Sequence, residues 1–334
     1  MKFARPISIL GLVIGVSIAL GTQIHVLGSA TLAIVIGTLL STRLVFSVGE
    51  RQFLRVIAKV SLQVSIVVLG LDLSLSEVAS VGLRSVPVLA GTIFVALVGQ
   101  YFIGRKLAIA PKLRNLIGVG TAICGASAIA ATDSVIRADD DQVSYAMTTI
   151  FTFNVIAAVF FPIVGHIFHM NSQFFSTWAG SAINDLSSVV AAASSFGHQS
   201  ASLAVIVKLT RTLAIIPITF VLARQTSGRS QRVGTREIDP PKFWGSLRSI
   251  LPVFVLWFIG AVALNSLGLV PHQVSSTASD LGIYVITVAL GAIGLSSSWA
   301  HMKREGYAPL ALGAILWVLV SSTSLIIQGL VGSG

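Results

Sequence analysis

Apolar residues along this chain come in blocks of about twenty, separated by short polar stretches. That is the length of an α-helix crossing a ~30 Å hydrocarbon core, and the dyad alternation of a membrane β-barrel is missing. Eleven blocks can span: roughly 7–23, 29–46, 56–73, 81–103, 116–136, 143–168, 174–196, 201–223, 247–269, 281–299 and 307–331. The pattern predicts an all-α membrane protein of about eleven transmembrane helices.

Two blocks are built differently from the rest. Residues 116–136 and 174–196 are rich in Gly, Ala, Ser and Thr, and they align at an offset of sixty: Gly120-Thr-Ala-Ile-Cys124 with Gly180-Ser-Ala-Ile-Asn184. Small residues let backbones approach closely, and a Gly-interrupted span is the usual pointer to a site at mid-bilayer depth. Both blocks are therefore expected to be discontinuous helices. Whether they cross fully or re-enter is not fixed by hydropathy.

A second internal likeness links Gly37, Gly70, Pro87 and Gly91 to Gly260, Gly294, Pro309 and Gly313, at spacings of 33, 17 and 4 against 34, 15 and 4. If all eleven blocks cross, these two triplets of helices run in opposite directions, as an inverted-topology repeat requires. The same assumption makes the two Gly/Ser blocks run in the same direction, which does not fit the scheme. One polytopic domain is expected over residues 1–334: eight spans over 1–223, a basic linker over 224–248 with Pro240-Pro241, and three spans over 249–334.

Composition agrees with the pattern. Hydrophobic residues are 54% of the chain, charged residues 10%, and the mean hydropathy is +0.90, whereas soluble domains carry about 25% charged residues. The net charge of +10 is explained by loops rather than nucleic acid. With eleven crossings, eighteen Lys and Arg fall on one side, against only Arg84 and Arg137 with the acidic run Asp139–Asp141 on the other. The positive-inside rule then places the N-terminus in the cytoplasm and the C-terminus outside. The N-terminal apolar run after Lys2 and Arg5 reads as an uncleaved first helix. A single cysteine, Cys124, excludes an internal disulfide, and no Cys/His spacing suits a metal.

Ionisable residues within spans are costly and mark function. Asp185 lies in the seventh block, Lys208 and Arg211 in the eighth. Asp185 and Arg211 are expected at similar depth, so a pair between them is available, and Lys208 shares a helix face with Arg211. Two cations facing one anion, beside half-helix N-termini, suit an anionic ligand. Arg211 can hold a carboxylate or oxyanion by two parallel hydrogen bonds. Thr121, Cys124, Gly125, Ser127, Ser181, Asn184, Ser187 and Ser188 complete a candidate substrate shell with Lys208 and Arg211, and Asp185 and Asn154 are candidate coupling-ion or charge partners. Each small polar residue also has a plain packing role to offer. No catalytic constellation and no Walker A motif is present.

The runs Gly120–Ala131, Trp178–Ala192 and Val207-Lys-Leu-Thr-Arg211, with Ala289-Leu-Gly-Ala-Ile-Gly-Leu295, resemble the bacterial YeiH-type family, labelled as sulfate exporters. The resemblance implies a multi-pass bacterial inner-membrane transporter in the broad group of bile-acid and cation-antiporter folds. The family's His-Asp in the second motif is Asn184-Asp185 here, and its common Gln is Ser188, so the proton role of that His does not carry over. The expected function is secondary-active export of sulfate, a related sulfur oxyanion or a sulfonate by alternating access. An anion channel, an ion-coupled carboxylate carrier and, remotely, an intramembrane enzyme are the alternatives. No cofactor is expected beyond a coupling Na+ or H+. The partners are the lipid bilayer and a small anion, with a homodimer left open.

Overall fold

The computed structural model describes residues 4–23, 28–215, 217–218, 253–296 and 307–331. The basic linker 224–248 lies outside the described residues. Thirteen helices are seen among those described: α1 (Ala4–Gly21), α2 (Gly28–Arg43), α3 (Val48–Gly70), α4 (Leu75–Lys106), α5 (Pro111–Ala122), α6 (Ala126–Ile136), α7 (Asp140–Ile167), α8 (Ser172–Ala182), α9 (Leu186–Phe196), α10 (His198–Thr212), α11 (Val253–Ser266), α12 (His272–Ser296) and α13 (Tyr307–Val331). Five of them, α1, α3, α4, α7 and α13, are long and apolar enough to cross a membrane; shorter apolar helices include α2, α6, α9 and α11. The protein is an all-helical membrane protein.

Helix starts follow local chemistry. Ser47 and Glu50 form a reciprocal capping box, so α3 begins eight residues ahead of its apolar block and carries Arg51, Arg55 and Lys59 on its first turns. Ser74 accepts from the Glu77 amide in the same way and starts α4 early.

The contacts fix the direction of each helix against its neighbours. Along α2 and α12, Ser29 bonds Thr287 and Gly37 lies against Gly291 and Gly294, so the two helices run parallel. A Cβ on Gly37 would stand 2.8 Å from the Gly291 carbonyl, and one on Gly294 2.6 Å from that of Ile34; only glycine permits this backbone contact. Along α3 and α11, Gly70 meets Phe258 and Ala261 while Asn265 Nδ2 donates to the Leu73 carbonyl at 3.1 Å. These helices are also parallel. Along α4 and α13, Gly91 meets Ile327 and Gly104 meets Leu312, which makes them antiparallel. α3 and α12 are antiparallel too, since Leu69 meets Gly282 while Leu54 and Ala58 cluster with Ala292 and Leu295.

Exchanging α2 with α11, α3 with α12 and α4 with α13 therefore carries the α2–α12 contact into the α11–α3 contact and reverses every direction. This is the inverted repeat that the glycine spacings predict. α1, α2, α3, α11 and α12 form one packed group. α4 to α10 with α13 form the other, joined to the first chiefly where α2 crosses α9.

Candidate functional site at two hairpin tips

Neither Gly/Ser block crosses. In the first, α5 ends at Ala122 and α6 begins at Ala126, and the turn between them is left-handed at Gly125, with φ +66° and ψ −121°. The chain folds back there: Gly120 faces Ile129, and Lys112 Nζ at the start of α5 donates to the Arg137 carbonyl just past the end of α6 at 2.7 Å. A continuous crossing helix would separate those residues by roughly 37 Å. In the second block the Phe175 and Phe196 rings, at the two ends of α8–α9, stack at 3.9 Å. Both blocks are helical hairpins.

They enter from opposite faces. The base of the first lies beside the end of α4, where Gly104 meets Arg114. The base of the second lies at the far end of α7, where Gly165 meets Phe175 and Phe196. The discontinuity expected from the sequence is present, and the conflict over direction disappears, because two re-entrant hairpins from opposite faces are inverted copies. One expectation is corrected. Arg137 and Asp139–Asp141 do not face away from Lys112; the hairpin returns them to its side.

The helix ends that flank the two turns match at the offset of sixty, while the turns differ in backbone conformation, with ψ −94° at Ile123 and 133° at Ile183. Ile123 N donates to Val119 O at 3.1 Å and Ile183 N to Ala179 O at 3.0 Å; Ile129 N donates to Gly125 O and Val189 N to Asp185 O, both at 3.0 Å. The flanking helices correspond as well, with Ile150 of α7 against Gly120 and Val207 of α10 against Gly180. The tips nearly touch, since a Cβ on Gly125 would lie 3.7 Å from the Asn184 carbonyl.

Each hairpin brings a helix C-terminus and a helix N-terminus to the centre, with partial charges of about −0.5 and +0.5. The α10 cations take the negative ends. Lys208 Nζ donates to Ile123 O at 2.7 Å and to Ile183 O at 2.9 Å, tying one tip to the other. Arg211 donates from Nε to Ala122 O at 2.8 Å and from Nη2 to Thr121 O at 2.6 Å. Both side chains are at most 1% exposed. Asn154, on α7 at the position corresponding to Arg211, accepts from Asn184 N at 3.1 Å. Asp185 takes one positive end: it caps α9 and accepts from Ser187 Oγ and from Ser188 N.

The pairing of Asp185 with Arg211 suggested by depth is thus not made, because each is held by the end of a different half-helix. The Arg211 fork is also largely spent on carbonyls, leaving only Nη1 buried without a partner. Thr121, Cys124, Gly125, Asn184, Asp185, Ser187, Ser188, Lys208, Arg211 and Asn154 all come together at the tips, and Ser127 stands one position inside the α6 N-terminus. Ser181 is turned elsewhere, its hydroxyl 2.6 Å from that of Ser324 on α13. Thr121 Oγ1 is used within its own helix, on Ile117 O. The ligands of the buried cations are the half-helix carbonyls themselves, which no side-chain pattern announces; paired Gly-interrupted blocks and two unexplained cations are their only signal in the sequence.

Comparison with known proteins adds a family. A family model described as conserved hypothetical protein 698 matches residues 6–313. Proteins called UPF0324 membrane protein are similar over most of their length: one from Streptococcus pneumoniae is 40% identical, covering 94% of this chain and 93% of its own. Another from Fusobacterium nucleatum is 38% identical over 90% and 89%, and one from Clostridium tetani 35% over 92% and 91%. No solved structure matches.

Proposed function

This chain belongs to the UPF0324 membrane protein family, and from that membership and the charges at the hairpin tips we propose that it is a secondary transporter of a small anion. The observation that carries the reading is a charge inventory. Two helix C-termini are met by Lys208 and Arg211, one helix N-terminus is met by Asp185, and the other N-terminus, that of α6, has no side-chain cap. The tips keep an excess of positive charge at the depth where it is most costly. An anion completes them, and sulfate, a related sulfur oxyanion or a sulfonate is the substrate class put forward, by alternating access with Na+ or H+ as the coupling ion. Transport rather than catalysis is the work proposed.

The face holding Arg43, Arg105, Lys106, Lys112, Arg114 and Arg137 is assigned to the cytoplasm of a bacterial inner membrane by its basic residues. That puts the N-terminus inside and the C-terminus outside.

The test is purified protein in proteoliposomes with radiolabelled sulfate. Saturable uptake, accelerated by sulfate loaded on the other side, is expected. Non-saturable flux without counterflow would make the tips a channel, and no flux of sulfate, sulfite, methanesulfonate or a dicarboxylate would end the anion reading.

A further inference from the structure

The two helix C-termini at the tips are not equally served. On α5 every terminal carbonyl is taken: Gly120 O by Gly125 N, Thr121 O and Ala122 O by Arg211, and Ile123 O by Lys208. On α8 Lys208 takes Ile183 O, and the matching list stops there. Asn184 N, which would close the last turn on Gly180 O, donates instead to Asn154 Oδ1. The carbonyls of Gly180, Ser181 and Ala182 accept no hydrogen bond from beyond their own helix among the described residues. Bulk solvent does not reach them either, since Ser181 and Ala182 are 0% exposed and Gly180 is buried. Buried backbone acceptors are rarely left so, least of all at the negative end of a helix.

Arg211 shows what such an end can hold. Thr121 and Ala122, the counterparts of Ser181 and Ala182 at the offset of sixty, present their carbonyls closely enough for Nη2 and Nε of one guanidinium to meet both, at 2.6 and 2.8 Å. At α8 the residue in Arg211's place is Asn154, 3% exposed, which brings a neutral oxygen where Arg211 brings a charge. The turn that follows holds a second buried amide, Asn184, 1% exposed with Oδ1 and Nδ2 both unpartnered. Asp185 is committed to the start of α9. Neutral oxygens at a half-helix C-terminus are ligands for a monovalent cation. A divalent ion asks for carboxylates, and carbonyl and amide oxygens do not take up a proton near neutral pH.

We propose that a sodium ion binds at the C-terminus of α8, in the position that the Arg211 guanidinium fills on α5, with the Ser181 and Ala182 carbonyls and Asn154 Oδ1 as ligands. Ser181 then takes part through its backbone, its hydroxyl being spent on Ser324. Binding of the ion stands on the geometry alone; its role as the coupling ion rests on the transporter reading above. That role has an electrical logic. Lys208, Arg211 and one sodium ion against Asp185 leave two positive charges at the tips, which one dianion such as sulfate cancels.

The test is binding of radiolabelled sodium to the purified full-length chain at constant chloride, with choline as the replacing cation and thermal unfolding recorded in parallel. Saturable binding that potassium displaces far less well than sodium is expected. Asn154→Leu should weaken it at least about tenfold, and Asn154→Asp, which adds charge to the same oxygen, should tighten it about threefold or more. Asn154→Lys ties a cation to α7 where Arg211 stands on α10. It should bind no sodium and, in sodium-free buffer, unfold no earlier than Asn154→Leu. No sodium binding by the wild type overturns the site, as does wild-type affinity in both Asn154→Leu and Asn154→Asp, which keeps the outcome decisive if Asn154→Lys does not fold. Equal displacement by potassium overturns the assignment to sodium. Because binding is read without any transport, this site and the small-anion reading fail separately.

Discussion

The two hairpins share a frame and differ in charge. Both break at the same aligned position, both point an N-terminus and a C-terminus at the centre of the molecule, and both give up a carbonyl to Lys208. Only the second carries its own carboxylate at the turn; the first has glycine there, in a backbone conformation that L-residues rarely adopt. Duplication supplies matching helix ends, and the two copies depart in the turn between them, in backbone conformation and in charge. A symmetric pair of capped hairpins would be electrically closed.

The broadest way to break this comparison is topological, and the outcome is all or none. In a Cys124→Ser background, cysteines at Lys106 and Asp140 should be labelled by an impermeant thiol reagent from the same face, and a cysteine at Asn171 from the other. Labelling of Lys106→Cys together with Asn171→Cys from one face, and of Asp140→Cys from the other, would mean that the first block crosses after all.

Next in size is the bridge between the tips. Lys208→Met should cost roughly 3 kcal/mol in detergent unfolding, because two buried carbonyls on different hairpins lose a charged donor. A loss below about 1 kcal/mol would show that the tips hold together without it.

The caps come next. Asp185→Ala should destabilise the protein by about 1–2 kcal/mol, while Asp185→Asn, which keeps an acceptor, should lose less than half of that. Gly125→Ala should cost about 1–3 kcal/mol through backbone strain alone. Equal tolerance of alanine at the two corresponding positions would erase the distinction between a turn that needs glycine and a turn that needs a cap. The smallest effect is expected for Asn154→Leu, about 1 kcal/mol, since one neutral acceptor for the Asn184 amide is removed. A cost as large as that of Lys208→Met would instead place Asn154 among the central supports.

Much of the frame is legible in the sequence. Gly37, Gly70 and Gly294 announce the inverted repeat because the close backbone crossings there tolerate nothing larger, with Gly260 matching them by spacing alone, and the offset of sixty announces the paired turns. Re-entry is not legible from hydropathy, because twelve apolar residues in and eleven back total the length of a single crossing. The apparent clash of directions between the two blocks was the one trace of it. The pairing at the site is legible only by residue type: the depths of Asp185 and Arg211 suggest an ion pair, but charges on helix ends do not appear in a linear count of charges. The early starts of α3 and α4 were readable from Ser47-x-x-Glu50 and Ser74-x-x-Glu77, whose caps outrank the polar character of the turns that follow.

Lys208 has a further consequence, in the domain of rates. One ammonium satisfies carbonyls from two segments sixty residues apart, so neither hairpin can swing away from the other without leaving a buried acceptor bare. At about 1–3 kcal/mol for each such acceptor, any step that parts the tips is slowed roughly five- to 150-fold relative to tips that merely touch. Motions that keep Ile123 and Ile183 together carry no such delay. Lys208 therefore favours displacements in which both hairpins move together over displacements that separate them.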